Sequence, residues 1–121
     1  MREIKKIIVH CSATQEGRDF DAAEINRWHL KKGWSGIGYH YVVLLDGTIE
    51  YGRSIYKQGA HVKGENEGSI GICYIGGVEF YCGSNGEWIA KDTRTPEQKE
   101  SLLLLLKTLK KMHKNATIHG H

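Results

Sequence analysis

The sequence predicts one mixed α/β domain, with a central mixed β-sheet flanked by helices. Segments of β-branched residues alternate along the chain with segments of helical periodicity, and two of the predicted strands are joined by a hairpin turn. The chain has 121 residues, which suits one ordinary domain. Because no linker or internal repeat divides it, we expect 1–121 to form a single unit.

The first predicted elements are a strand and a helix. Isoleucine and valine dominate 4–9, which predicts a strand whose end is apolar on both sides. Apolar residues at helical spacing then begin at Ala22, and Gly33 supplies a helix stop. Asp19 and Asp21 are the candidate N-caps of this helix.

A hairpin and a central strand follow the first helix. Alternating residues in 39–45 and 48–51, joined by Asp46-Gly47, predict a hairpin with a type I′ turn. The continuous apolar run 69–75 predicts a strand near the middle of the sheet.

The last third of the chain predicts a long helix between shorter elements. Thr95 as N-cap and Gln98 three residues later predict a capping box, and the leucine-rich helix that follows ends near His113. We expect a second, exposed hairpin in 79–90 before this helix and a short strand at 116–118 after it.

Composition and charge exclude several classes of protein. A hydrophobic fraction of 40% argues against disorder, and the longest apolar run, Leu102–Leu106, is far shorter than a membrane span. The net charge of +3 is mild, and the lysines of 107–114 fit a solvated helix face better than a nucleic-acid site. We therefore expect no nucleic-acid partner, no membrane insertion, and synthesis in the cytoplasm without a signal peptide. The cysteines predict free thiols: Cys11, Cys73 and Cys82.

Two of the histidines lie where ligand sites of α/β sheets gather. His10 directly follows the first strand, and His121 follows the last one. Sites collect at the carboxyl ends of strands, so these residues could share a metal ion. Each could equally be a hydrogen-bonded structural histidine, and the residues alone leave both readings open.

A tyrosine and a long loop supply further candidates. Tyr39 and His40 alternate along the predicted hairpin strand, so one of them faces a cleft while the other is packed. A tyrosine there is either a hydrogen-bond donor to a substrate carbonyl or an ordinary sheet aromatic. The loop 53–68 is long for a connection, and its polar residues His61 and Asn66 indicate contact with a ligand.

A series of short motifs points to one family. They are Val9-His10-Cys11-Ser12-Ala13-Thr14, Gly38-Tyr39-His40-Tyr41, Asp46-Gly47-Thr48, Gly59-Ala60-His61, Gly64-Glu65-Asn66, Ser69-Ile70-Gly71-Ile72-Cys73, Thr95-Pro96 and Gly120-His121. In this order they resemble the type 2 N-acetylmuramoyl-L-alanine amidases. The chain is similar over essentially its whole length to the amidase-type lysozymes of phages and is related to the peptidoglycan recognition proteins.

The resemblance implies a reaction and a cofactor. It implies zinc-dependent hydrolysis of the amide bond between N-acetylmuramic acid and L-alanine in peptidoglycan, with Zn²⁺ as the cofactor. By position, His10 and His121 match metal ligands, and Tyr39 matches a tyrosine that assists catalysis. His40 belongs to the motif as a structural residue. The positions that match substrate-binding residues are His29, His61 and Asn66.

The family pattern also has a third metal ligand, a cysteine or aspartate after the Gly-His motif. Because the sequence stops at His121, we expect an amidase domain lacking the C-terminal segment with this ligand, and impaired in activity. The alternatives are a non-catalytic module that binds peptidoglycan, or replacement of the ligand by His119 or Cys11, which strand geometry disfavours. Peptidoglycan is the expected partner, reached after release to the cell wall, and nothing indicates the oligomeric state.

Overall fold

Seven strands and two helices occur in the part of the chain that the computed structural model describes, residues 2–79 and 89–120. They are β1 (Lys6–Cys11), β2 (Thr14–Gln15), α1 (Ala22–Lys31), β3 (Tyr41–Val43), β4 (Ile49–Tyr51), β5 (Ser69–Tyr74), β6 (Gly77–Val78), α2 (Pro96–Met112) and β7 (Thr117–Gly120).

Five of the strands form a mixed sheet with the order β4-β3-β5-β1-β7. Only the β3–β4 pair is antiparallel, and β5 lies at the centre between β3 and β1. A separate parallel pair, β2 with β6, was not predicted. The mixed α/β fold is thereby confirmed, and the central position of 69–75 agrees with its continuous apolar sequence.

The two helices cover opposite faces of the sheet. Leucines of α2 pack on one face, and Ile25 of α1 packs on the other. Strand side chains alternate between these faces, so β3 contributes Val43 to the core on the α2 face and Val42 to the core on the α1 face. The buried residues on the α2 face include Ile7, Val43, Ile70, Ile72, Leu102, Leu105 and Leu109.

The helix ends follow local rules that the sequence displays. Asp21, and not Asp19, is the N-cap of α1, and its side chain accepts the Glu24 N–H at 2.9 Å. The capping box of α2 is present, because Thr95 and Gln98 each accept the other's backbone N–H. Neither helix of the described residues is long and apolar enough to cross a membrane.

The predicted type I′ turn is wrong, and β3 is shorter than the predicted 39–45. A type I′ turn requires positive φ at both central residues, whereas Gly47 has a φ of +88° and Asp46 is not in that region. The Gly47 N–H donates to the Leu44 carbonyl, and the Leu44 N–H donates to the Thr48 carbonyl. One left-handed glycine therefore closes a three-residue loop with a bulge in place of the two-residue turn.

The second predicted hairpin falls largely outside the described residues, which omit 80–88 and therefore Cys82. At its base, the Glu79 N–H donates to the Ile89 carbonyl at 2.9 Å. The last strand covers Thr117–Gly120 and pairs in parallel with β1, with Val9 opposite Gly120. It forms an exposed edge of the sheet, and the next residue, His121, also lies outside the described part.

Gln98 joins α2 to the sheet and gives a direct test of this packing. Its fully buried amide donates to the Ile75 carbonyl at 2.9 Å and to the Val43 carbonyl at 3.3 Å. Gln98→Leu leaves these carbonyls without that donor, so we expect the free energy of unfolding in urea to fall by about 1–3 kcal/mol. The exposed control Lys99→Leu should change it by less than about 0.5 kcal/mol. Equal effects of the two substitutions would contradict this role of Gln98.

Candidate functional site

His10 begins the site, at the carboxyl end of the parallel strand β1. It pairs in register with Cys73 of β5, and only 4% of its surface is exposed. Its ring lies on the α1 side of the sheet, 5.5 Å from the Tyr39 ring between centroids. Cys11 alternates to the other side, where it lines a cavity of about 440 Å³ with Leu102 and Ile118. As the alternation predicted, the Cys11 thiol points away from His10.

His61 lies against His10 although 51 residues separate them in sequence. His10 Nε2 and His61 Nδ1 are 3.0 Å apart, and the two rings meet edge to face. The other ring nitrogen of His61 lies 3.2 Å from the Ser69 hydroxyl oxygen. The long loop thus delivers an imidazole to the end of β1, a contact that the sequence did not predict.

Asn66 holds the loop that carries His61. Its side-chain oxygen accepts the backbone N–H groups of His61 at 2.8 Å and of Val62 at 2.9 Å. An amide oxygen that accepts two N–H groups closes a tight turn of the chain. In this structure Asn66 therefore acts on the site through the position of His61.

Tyr39 lies between His10 and His29, with ring centroids 5.5 Å and 5.7 Å away. It directly precedes His40 and β3, and its side chain is half-buried. Burial raises the pKa of the Tyr39 hydroxyl, and the neighbouring Cys73 thiol raises it further. The phenol keeps its proton at neutral pH, so it can donate a hydrogen bond to an oxygen that gains negative charge.

The Cys73 thiol lies under this cluster and is fully buried in β5. Burial raises its pKa, and the nearby Cys11 thiol adds to the effect. Since the thiolate is the form that binds metals and attacks substrates, the protonated Cys73 serves as packing.

His29 is nearly buried, with 7% of its surface exposed. Its Nδ1 accepts the Gly38 N–H at 2.9 Å, and its ring lies 4.5 Å from that of Trp34. Burial lowers the pKa of His29, and the cations Lys32 and Arg53 lower it further. His29 is consequently a neutral imidazole whose orientation is fixed by the chain before β3.

His40 is held at both ring nitrogens, as expected of a structural residue. Nδ1 accepts the Gly71 N–H at 3.0 Å, which leaves Nε2 to donate to the Lys57 carbonyl at 2.8 Å. The residue is 1% exposed. His40 therefore joins β5 to the long loop and takes no direct part in the cluster's chemistry.

The structure brings together four of the predicted site residues: His10, Tyr39, His29 and His61. Asn66 supports them from the loop, and the described part of the chain does not include His121. Sequence reasoning missed Ser69, since a small residue at the start of a buried strand carries no local signal of function. Within residues 2–79 and 89–120, no three His, Cys, Asp or Glu side chains gather closely enough to hold a metal ion.

Comparison with known proteins shows the family to which the chain belongs. A sequence profile of a family described as N-acetylmuramoyl-L-alanine amidase matches residues 1–121. The endolysin of Escherichia phage T7 is 40% identical over 115 residues, which cover 95% of this chain and 72% of that protein.

Solved structures show the same fold. N-acetylmuramoyl-L-alanine amidase LysC from Clostridium intestinale URNW superposes with a TM-score of 0.80 and 28% identity, over 99% of this chain and 71% of that chain. The Drosophila peptidoglycan recognition protein SD superposes with a TM-score of 0.79 over 100% of this chain and 70% of that chain. At 21% identity, this second likeness concerns the fold alone.

The buried state of His40 predicts a pH-dependent stability. Burial lowers its pKa below the usual 6.5, the bond to the Lys57 carbonyl opposes this, and Arg2 and Arg53 lower the pKa further. As the pH falls, His40 therefore takes up a proton in the unfolded chain at a higher pH than in the folded chain. Above about pH 6.5 the contribution of His40 to the free energy of unfolding is fully present, and it is lost as the pH falls through the lowered pKa.

Urea denaturation between pH 7.5 and pH 5 measures this effect. We expect the free energy of unfolding to fall with decreasing pH, and to fall less steeply in His40→Gln, which has no imidazole to protonate. Identical slopes for the two proteins would rule out His40 as a source of the acid sensitivity.

Proposed function

Because the chain belongs to the N-acetylmuramoyl-L-alanine amidase family, we propose that this peptidoglycan amidase works with a zinc ion held at His10. The bond cleaved is the amide between N-acetylmuramic acid and L-alanine. The observation that carries the proposal is the cluster at the end of β1, where His10, Tyr39 and His61 meet on one side of the sheet. It offers a candidate ligand and a hydrogen-bond donor within one cluster.

The chemistry of His10 fits a zinc ligand. Imidazole nitrogens are common zinc donors, and a ligating histidine almost always uses its other ring nitrogen in a hydrogen bond that fixes the ring. His10 has such a bond, to His61 at 3.0 Å. We propose His121 as a second ligand, supported by the register in which Gly120, the residue before it, pairs with Val9, the residue before His10.

A bound zinc ion would supply a Lewis acid and lower the pKa of a water molecule to about 7. The protein side chains would then orient the carbonyl that reacts and stabilise the negative charge that forms on its oxygen. We propose that the Tyr39 hydroxyl donates a hydrogen bond to the oxygen of the scissile carbonyl as that oxygen becomes negative. Its raised pKa supports this role, because the phenol remains a hydrogen-bond donor at neutral pH.

The remaining predicted residues flank or support Tyr39. We propose that the rings of His29 and His61, which flank Tyr39 at 5.7 Å and 6.4 Å, contact the sugar and peptide of the substrate. Asn66 supports this contact indirectly, since its side-chain oxygen holds the turn at His61. Because the T7 relative is an endolysin, we place the action of the chain on the cell wall, after release from the cell that makes it.

Substitution of Tyr39 tests the catalytic proposal. Tyr39→Phe removes the hydroxyl and keeps the ring, so we expect kcat for release of stem peptide from purified peptidoglycan to fall about 100- to 1,000-fold. The matched control is Tyr41→Phe, because Tyr41 packs on the opposite, α2 face of the sheet. This control should retain the wild-type kcat.

Binding of peptidoglycan by the same proteins separates the enzyme from a non-catalytic binding module. An amidase that uses Tyr39 loses turnover in Tyr39→Phe while the variant still sediments with peptidoglycan. Equal kcat values for Tyr39→Phe and Tyr41→Phe would remove Tyr39 from the mechanism. A wild-type chain that sediments with peptidoglycan and releases no peptide would be a binding module.

A further inference from the structure

Ser69 lies at the end of a chain of hydrogen bonds that leads to His10. It is the first residue of β5 and is fully buried. Its hydroxyl oxygen is 3.0 Å from the Asn66 carbonyl oxygen and 3.2 Å from His61 Nε2. His61 Nδ1 is in turn 3.0 Å from His10 Nε2.

The direction of the hydrogen bonds follows from the donors available. A serine hydroxyl has one hydrogen, and a backbone carbonyl can only accept. The Ser69 hydroxyl therefore donates to the Asn66 carbonyl, which is the nearer of its two partners. Its oxygen then accepts from His61 Nε2, so a His61 ring with a single N–H proton carries it on that nitrogen.

The same reasoning continues to His10. With its proton on Nε2, His61 has a lone pair on Nδ1 and accepts the bond from His10 Nε2–H. A neutral imidazole has one N–H, so the lone pair of His10 is on Nδ1. Of the two ring nitrogens of His10 that could ligate zinc, the hydrogen-bond chain thus leaves the lone pair on Nδ1.

Packing prevents His61 from leaving this position easily. A side-chain carbon placed at Gly71 would lie 2.6 Å from His61 Cδ2, so the ring occupies space that only a glycine leaves open. The Asn66 side chain holds the backbone of His61 from the other side. Rigid support of this kind fixes the ring of a metal ligand before the metal arrives.

We propose that Ser69, acting through His61, is a positioning residue that keeps the His10 proton on Nε2 and presents Nδ1 to zinc. The inference rests on the proposed function, because it takes His10 to be a zinc ligand. It assigns His61 a second task besides contact with substrate, and it gives Ser69 a role in the amidase site.

Two measurements on the 121-residue chain test the proposal. Long-range ¹H–¹⁵N correlation spectra of the zinc-free protein show which nitrogen of His10 carries the proton, with its signals assigned by their loss in His10→Gln. Zinc affinity is measured by competition with a chromogenic chelator. We expect the Nε2–H form in the wild type and zinc binding about 10- to 100-fold weaker in His61→Leu.

Matched variants separate positioning from general structural effects. His61→Gln keeps an acceptor for His10 Nε2–H and should restore most of the zinc affinity that His61→Leu loses. Ser69→Ala removes the acceptor of His61 Nε2–H and should also weaken zinc binding. The control is Ser101→Ala, on α2. It removes the hydrogen bond from the Ser101 hydroxyl to the Gly47 carbonyl and should leave zinc affinity unchanged.

The outcomes distinguish failure of the positioning role from failure of the proposed zinc site. A His10 proton on Nδ1 in the wild type, or wild-type zinc affinity in Ser69→Ala, would overturn the positioning role of Ser69, and wild-type affinity in His61→Leu would overturn that of His61. A rise in the KM of His61→Leu for peptidoglycan, without a change in its zinc affinity, would make His61 a substrate contact only. If the wild-type chain binds no zinc, the zinc site of the proposed function fails, and the tautomer of His10 still decides whether the hydrogen-bond chain exists.

Discussion

The contact between the His61 ring and Gly71 of the central strand determines where this site can form. The ring lies where a side chain at position 71 would stand, and a side-chain carbon at Gly59 would also come within 2.6 Å of it. Two glycines therefore allow a loop imidazole to lie directly on the sheet. From there it reaches Ser69 of β5 and His10 of β1, two positions on neighbouring parallel strands. The site depends on close backbone packing as much as on its polar residues.

A second close approach positions the rest of the cluster. A side-chain carbon at Gly38 would lie 2.0 Å from the Ala60 carbonyl oxygen, and the Ala60 N–H donates to the Gly38 carbonyl. The Gly38 N–H also donates to His29 of α1. The segment before β3 is thereby tied to the helix on one side and to the long loop on the other. Tyr39, the next residue, is thereby held between His29 and His10.

Local patterns predicted most of the fold, because helix caps and strand periodicity depend on nearby residues. The capping box of Thr95 and the central strand at Ser69–Tyr74 are examples. The type I′ turn was predicted wrongly, because one left-handed glycine closes the loop where that turn needs two positive φ values. Motif order predicted that His10, Tyr39 and His61 are site residues, but not the bond between His10 and His61 across 51 residues of sequence. The parts played by zinc and by His121 remain predictions.

Zinc-dependent cleavage of the muramoyl–alanine amide is tested by identifying the products of peptidoglycan digestion with mass spectrometry. Purified peptidoglycan would be incubated with the zinc-loaded chain, with the chelator-treated chain, and with the treated chain after zinc is returned. We expect stem peptides with a free N-terminal alanine beside intact glycan strands, and we expect their release to be lost on chelation and recovered with zinc. Glycan fragments with new reducing ends, or peptide release that chelation leaves unchanged, would contradict this expectation.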